Sequence, residues 1–421
     1  DIRESASVSH IYGQPLVAAE SFSVNGDEGR AYTYCPENMK YIADVGLSAG
    51  VNRFVIHESA SQPNDKYLPG LQLFRYGQWL HRNETWAEYA RVFTDYLARS
   101  SAMLQQGTSV ADILLYYGED LNITGLYGGE AFSTLPQVPD GYNYDFANPT
   151  VLRSGIKVEN GTLVAPSGAR YKVLWLDRNC EVMSLDILKK VKEFADAGVI
   201  ICGKEPRQCA GLKADDRAFA TIVDDVWHSR RRNVFTQGLE DCLERSGIAP
   251  DFSVRVAEPV EAASQRGDSH FDKFSDRKMP KSDQEDATEA PANAPDSYGD
   301  FKYVHRSLPD STQIYWVRNF SGNSADVEFS FRYRGKFAAI FNPDNGEVSD
   351  VPVVAREGRS VVTLPMYSTD ARFVVLSGRP QIEFTVDTVF VNDVDSAMVN
   401  TSDSIVTHGS PTTEASVLTK A

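Results

Sequence analysis

The sequence predicts a multidomain chain of class α/β plus β: the end of a (β/α)8 barrel, then a doubly wound, Rossmann-like α/β domain, then a C-terminal β-sandwich. Three observations carry that expectation. Two short apolar runs, each ending in ionisable groups, are joined by one helical stretch near the N-terminus. A second strand–helix–strand series extends from Val110 to Gly203. From Phe301 onward, short β-type runs alternate with turn signals.

The first unit centres on residues 10–23, His-Ile-Tyr-Gly-Gln-Pro-Leu-Val-Ala-Ala-Glu-Ser-Phe-Ser. Its apolar run, 16–19, is short and bounded, as in strands buried on both faces. Glu20 stands where that run stops. Barrel enzymes place catalytic groups at the C-terminal ends of their strands, so Glu20 is a candidate catalytic carboxylate. The plain alternative is a Glu that opens a solvated loop. A helix over 37–48 leads to Gly50-Val51-Asn52-Arg53-Phe54-Val55-Ile56-His57, then to the polar cluster Glu58-Ser59-Ala60-Ser61-Gln62-Pro63. Strand, helix, strand in this order means parallel pairing, and both units carry ionisable groups at the same end. A whole barrel needs about 200 residues or more. Residues 1–108 are therefore expected to be the C-terminal part of a larger catalytic barrel, in keeping with a chain that opens Asp-Ile-Arg-Glu-Ser without Met or a secretory leader.

A loop over 66–80 precedes a helix expected at 85–106, with Thr85 and Glu88 as a capping box and Gly107 as its stop. Trp86 reads as a core anchor on that helix more than as a sugar-stacking platform. The doubly wound domain is expected over 109–255. It has a strand ending at Gly118-Glu119-Asp120, a helix start near Pro149 after Tyr142–Asn148, and a hairpin turn at Glu159-Asn160-Gly161. A strand follows over 171–176, then a helix over 185–197 behind Ser184, and a strand over 198–203. No Gly-x-Gly-x-x-Gly occurs, so no dinucleotide is proposed. Glu119 and Asp145, near strand ends, read as loop carboxylates. Residues 256–298 are acidic and poor in apolar side chains, an expected disordered linker. Strands near 313–317, 325–333, 337–341, 360–364 and 371–376, with turns at Asp344-Asn345-Gly346 and Glu357-Gly358-Arg359, predict the sandwich over 299–378. Residues 379–421 are a tail or the start of a further β domain.

A net charge of −16 argues against nucleic acid and anionic membrane surfaces as partners. No apolar run approaches the length of a membrane span. Cys35, Cys180, Cys202, Cys209 and Cys242 lack metal-ligand spacing and are read as buried thiols, with room for one bridge.

The chain resembles the family-106 glycoside hydrolases, the α-L-rhamnosidases. The matching blocks are His10–Phe22, Gly50–His57 with Gln62-Pro63, Arg82-Asn83-x-Thr85-Trp86, the stretches 96–107 and 110–114, Gly141–Asp145, Ala249-Pro250-Asp251-Phe252, and His305-Arg306 with Ile314-Tyr315. They span nearly everything from residue 7 to 376, in order. The resemblance implies an inverting glycosidase with two carboxylic acids, one protonating the leaving oxygen and one activating water. It implies Glu20 as the general base, His57 and Gln62 lining the sugar subsite, and a rhamnose-containing carbohydrate as partner. The family's acid lies on an earlier strand, in an Asp-x-x-Glu segment with no counterpart before Glu20, so the chain alone is expected to be inactive. Where the family tends to have a second His before Gln-Pro, this chain has Ser61. Family members can bind calcium, but its ligands are expected outside this chain, and neither Glu20 nor Glu119 is assigned to it. A periplasmic or extracellular place is expected. The alternative is a non-catalytic carbohydrate-binding remnant; a glycosidase of β-galactosidase-like architecture is a third reading.

Overall fold

The computed structural model describes residues 2–25, 34–59, 61–68, 70–71, 76–77, 80–119, 136–211, 214–256 and 301–378. The expected linker, apart from its first residue, and the tail after 378 lie outside them.

The N-terminal unit is β–α–β. Strands β1 (Ala18–Ser21) and β2 (Arg53–Ile56) run parallel, with Ala18 opposite Arg53 and Glu20 opposite Val55. Helix α2 (Pro36–Ser48) joins them; it starts on Pro36, where the missing N–H has no partner to lose, and buries Met39, Ala43 and Leu47 at four-residue spacing. Asn52 fastens the unit, accepting from the Val17 N–H at 2.7 Å and donating to the Pro15 carbonyl at 2.9 Å. Ahead of β1 lies helix α1 (Ile2–Tyr12), which a serine-rich sequence of weak helix propensity does not announce. At Gly50 (φ +109°) a Cβ would stand 2.6 Å from the Ala6 Cβ, so glycine is what allows α1 to lie against this turn.

Helix α3 (Ala90–Leu104) begins later than the sequence suggests, behind a 3₁₀ turn at Ala87–Tyr89. The capping box expected at Thr85 and Glu88 does not form; Tyr89 is the N-cap and offers no side-chain bond. Burial sets the entry geometry instead. Trp86 is in the core, its indole N–H donating to the Tyr34 carbonyl at 3.0 Å, which is the core reading of that residue.

The middle unit is a five-stranded, wholly parallel sheet. Its strands are β3 (Ile113–Tyr116), β4 (Tyr144–Ala147), β5 (Val173–Leu176), β6 (Ile200–Cys202) and β7 (Val234–Phe235), in the spatial order β7-β6-β5-β3-β4. Numbered along the chain this is 2-1-3-4-5, a common doubly wound order. One face packs on helices α4 (Leu185–Asp196) and α5 (Asp216–Val223). The other is covered by α6 (Leu239–Arg245) with Leu239, Cys242 and Leu243. Residues 144–147 are the strand β4, and a short helix begins at Pro149 as the sequence suggests, passing into a π-type turn over Val151–Gly155. Four residues with Asp145 inside give no clear period, and pairing with β3 decides the outcome. The hairpin at Asn160-Gly161 forms as expected, with φ of 51° and 71° and Lys157–Glu159 pairing with Thr162–Val164. All five cysteines are free and Cys35 is exposed, so the bridge that composition left room for is not present.

The C-terminal unit has two antiparallel sheets over one core. The first contains β8 (Phe252–Val256), β11 (Ala325–Phe331), β14 (Val354–Arg356) and β15 (Arg359–Met366), in the order β8-β11-β15-β14. The second contains β9 (Phe301–Ser307), β10 (Gln313–Asn319), β12 (Phe337–Phe341), β13 (Val348–Val351) and β16 (Ala371–Ser377), in the order β13-β12-β16-β10-β9, with Thr108-Ser109 added on the β9 edge. Phe252, Phe329, Phe331, Tyr315, Ile340 and Val374 share the space between them. Strand β8, within the span counted with the α/β domain, pairs with β11 from Phe252↔Phe331 to Val256↔Val327.

The outer face of the second sheet is not left to solvent. Ile314, Trp316, Phe373 and Val375 pack against Met39, Leu47, Phe93 and Leu97 of α2 and α3. Arg306 of β9 also caps α3, donating to the Gln106 and Gly107 carbonyls at 2.7 and 2.6 Å, a cation at the negative end of the helix. Burial pushes that guanidinium down to about 10. Residues 1–108 expressed alone are therefore expected to show no cooperative unfolding transition, since Ile314, Trp316, Ala371, Phe373 and Val375 of β10 and β16 complete their core. A sharp transition in circular dichroism for that piece would contradict this.

Buried aspartates join the units pairwise. Asp145 of β4 takes His10 Nδ1 of α1 at 2.8 Å and the Tyr171 hydroxyl at 2.8 Å. Asp251 takes His305 Nδ1 at 2.7 Å, and Arg332 bridges it to Asp112 at 3.4 and 2.9 Å. Burial pushes both Asp145 and Asp251 up, but His10 on the one and His305 with Arg332 on the other outweigh it, and both carboxyls end below their ordinary value.

Candidate active site

Because β1 and β2 are parallel, their C-terminal ends emerge at one edge. Glu20 is the third residue of β1 and its side chain is exposed, with no hydrogen-bond or ion-pair partner among the described residues. Among the described residues nothing occupies this carboxylate, which can accept from a ligand or water. Two residues on, Phe22 adopts φ 70°, a left-handed conformation uncommon outside glycine. Its ring is held between Phe54 and Phe93, at centroid distances of 5.7 and 5.6 Å, so packing compensates the backbone strain. The turn delivers Ser23 to His57, Oγ to Nδ1 at 2.9 Å, while the His57 N–H donates to the Ser21 carbonyl at 2.9 Å. Main chain and side chain thus both seat His57 at the end of β1. Glu58 Oε2 lies 4.0 Å from His57 Nε2.

Gln62 is placed differently from a free ligand-facing amide. Its Nε2 donates to the Leu71 carbonyl at 2.6 Å and its Oε1 accepts from the Leu71 N–H at 2.9 Å. Arg82 holds the Gln62 carbonyl at 2.6 Å and Asp65 at 2.8 Å. Gln62 is the clasp of the loop that follows β2.

Glu119 and Asp145 do not join this edge. Glu119 accepts from the Ser184 N–H at 2.5 Å, the Ser184 hydroxyl at 2.7 Å and Arg153 at 3.2 Å, at the N-terminus of α4. Asp145 is a buried strand residue and not a loop carboxylate. It does reach the N-terminal unit, but through His10 on α1. Among the described residues no three His, Cys, Asp or Glu side chains converge to hold a metal ion, and Glu119 is engaged by Ser184 and Arg153.

Ser23, Phe22 and Glu84 escaped the sequence reading. For Ser23 the signal was its place four residues past the apolar run; for Glu84 there was none, since burial of a loop Glu is a tertiary fact. Glu84 is 6 % exposed and its Oε1 has no hydrogen-bond partner. Burial raises its carboxyl to about 7. Between the ordinary 4.5 and about 7 the folded protein keeps a proton that the unfolded chain has released, so this group lowers stability as pH rises through that window. Glu84→Gln is expected to stabilise the protein by about 1–3 kcal/mol at pH 8 and by little at pH 4. Urea unfolding at the two pH values checks it, and an equal effect at both would contradict the burial account.

A family model for alpha-L-rhamnosidase, glycoside hydrolase 106, matches residues 1–354. The solved rhamnosidase from Novosphingobium sp. PP1Y is 30% identical, with a TM-score of 0.74 over 93% of this chain and 34% of its own. A protein of Formosa agariphila that carries a provisional beta-glucuronidase name is 26% identical over 376 residues, which is 88% of this chain and 28% of its own length. The chain thus spans about a third of the length of these relatives.

Proposed function

The chain belongs to the glycoside hydrolase 106 family of alpha-L-rhamnosidases, and on that premise we propose that it supplies the water-activating half of an inverting active site that removes terminal α-L-rhamnose from glycans or glycosides. The observation that supports this reading most is the exposed Glu20 carboxylate at the same strand edge as His57, which Ser23 and the Ser21 carbonyl seat there. In an inverting glycosidase a carboxylate on one face of the sugar takes a proton from water while an acid on the other face protonates the leaving oxygen. Glu20 is the base. His57 lines the sugar subsite, and Gln62 shapes it indirectly by clasping the loop after β2. The acid comes from an Asp-x-x-Glu segment outside this sequence. In architecture, β1-α2-β2 is the C-terminal part of a (β/α)8 barrel, and the two antiparallel sheets are a sandwich that supports it. Apolar side chains exposed on the N-terminal unit, Val8, Tyr12, Tyr41, Ile42 and Val55, support that reading, since a completed barrel would cover them. The place of action is periplasmic or extracellular.

Proton NMR of rhamnoside hydrolysis by the enzyme that carries this chain tests the mechanism. The first-formed sugar is expected to be β-L-rhamnose; a first-formed α anomer overturns inversion. The isolated chain is expected to bind rhamnose with little or no turnover. Robust hydrolysis by it would refute an acid outside the chain, and binding without turnover in the full enzyme would favour a carbohydrate-binding remnant. Ser23→Ala frees His57 to turn and is expected to raise KM for rhamnosides by about tenfold, a hydrogen bond's worth, with kcat less affected. An unchanged KM would separate Ser23 from substrate positioning.

A further inference from the structure

The chain contains three Asn-Gly pairs, Asn25-Gly26, Asn160-Gly161 and Asn345-Gly346, none of which the proposed chemistry uses. Gly26 lies outside the described residues. Asn160 and Asn345 both stand exposed at turns, yet the structure holds them differently. At Asn345-Gly346 both reactive groups are engaged. The Asn345 Nδ2 donates to Glu347 Oε2 at 2.7 Å, its Oδ1 accepts from the Glu347 N–H at 3.0 Å, and the Gly346 N–H donates to the Asn342 carbonyl at 2.8 Å. At Asn160-Gly161 neither group is engaged. Among the described residues the Asn160 amide has no hydrogen-bond partner and the Gly161 N–H donates to none. The pair forms the turn between Lys157–Glu159 and Thr162–Val164, with φ positive at both residues. That turn rests on the connection from α4 to β6, where a Cβ on Gly161 would stand 3.0 Å from the Gly198 carbonyl oxygen.

We propose that Asn160 is a site of spontaneous deamidation, and that its isoaspartyl product loosens the hairpin from the α4–β6 connection. The Gly161 nitrogen, with no side chain beside it to hinder approach, gives its proton to solvent and attacks Asn160 Cγ. A new C–N bond closes a five-membered succinimide, the Cγ–Nδ2 bond breaks, and ammonia leaves with a proton from solvent. Water then opens the ring. Cleavage between the nitrogen and Cγ gives aspartate. Cleavage between the nitrogen and the main-chain carbonyl carbon routes the backbone through Cβ and gives isoaspartate. One water is consumed and one ammonia released, with no oxidant or reductant involved. Isoaspartate lengthens the main chain by one carbon. With Gly161 already against the Gly198 carbonyl and Glu159 paired with Thr162, the turn has no room for that carbon. Asn345 is protected because ring closure there must first break bonds to a carboxylate and to the main chain.

The full chain is held in mildly alkaline buffer, digested in mild acid and mapped by mass spectrometry, with electron-transfer fragmentation to tell isoaspartate from aspartate. In the folded chain the converted fraction at Asn160 is expected to exceed that at Asn345 by about tenfold or more, the factor that breaking one hydrogen bond to a charged group imposes. In guanidinium chloride the two sites should convert at similar rates, because only the flanking glycine then acts on either. Folded chain enriched in isoaspartate at position 160 is expected to melt about 2–4 °C below the unmodified protein. Asn160→Asp, which carries the new charge on an ordinary backbone, should melt within about 1 °C of the unmodified protein. Equal conversion at Asn160 and Asn345 in the folded chain would overturn the proposal. So would no conversion at Asn160 under conditions that convert it in guanidinium chloride, an isoaspartyl form that melts with the unmodified protein, or an equal fall for Asn160→Asp.

Discussion

Glu20→Gln in the enzyme that carries this chain is expected to slow rhamnoside hydrolysis by about 10²–10⁴-fold while rhamnose binding persists. The amide keeps the size and planarity of the carboxylate but cannot take a proton from the attacking water. In barrier terms that loss is about 3–5 kcal/mol. Aryl rhamnosides with good leaving groups should not restore the rate, because departure of the leaving group is not what the substitution impairs. Loss of the acid would show the opposite pattern, with partial recovery on such substrates. Kinetics on natural and aryl α-L-rhamnosides separates the two. Near-normal turnover, or recovery on activated substrates, would remove Glu20 from the role of base. The side chain carries no structural bond among the described residues, so a folding defect is not expected to obscure the result.

The largest stability effect is expected at Asp44. This carboxylate of α2 is fully buried and accepts from Lys40 Nζ at 3.1 Å, from the Tyr96 hydroxyl of α3 and from the Arg318 guanidinium of β10. Burial, then the adjacent carboxylate, pushes the Tyr96 phenol well up, so it remains a donor. Asp44→Ala leaves Arg318, 2 % exposed, as an uncompensated buried charge, which typically costs about 3–5 kcal/mol. The loss falls at the seam between the N-terminal unit and the outer sheet, so limited proteolysis should release residues near 1–108 first. Removing both charges with Asp44→Leu and Arg318→Met should cost much less than the single substitution, since an apolar pair needs no solvation. Denaturant unfolding of the two proteins makes the comparison. A loss below about 1 kcal/mol for Asp44→Ala would mean that water reaches the pair.

Local chemistry carried much of this protein into view. The strand at Phe337–Phe341, the hairpin turn at Asn160-Gly161 and the parallel pairing of β1 with β2 follow from apolar period, turn residues and short connections. The place of Glu20 near the C-terminal end of β1 followed in the same way, although that strand is half-exposed and not buried on both faces as expected. Residues 144–147 did not, because a four-residue segment with a central Asp has no period to read and acquires its strand from β3 and its charge from His10. The start of α3 was misplaced for a related reason: Thr85 and Glu88 match a capping pattern, but burial of Trp86 outweighs a cap worth about 1 kcal/mol.

By itself, then, the sequence determined the order of the units, most strands, and which carboxylate stands at the parallel edge, since these depend on neighbours a few residues apart. Only the tertiary structure decided that Gln62 clasps a loop, that Ser23 seats His57, that Glu84 loses its solvent and that Asp44, Asp145 and Asp251 join the units. Each of those depends on a partner brought close by packing or on water excluded by it, and neither distance nor desolvation is written in the spacing of residues along a chain.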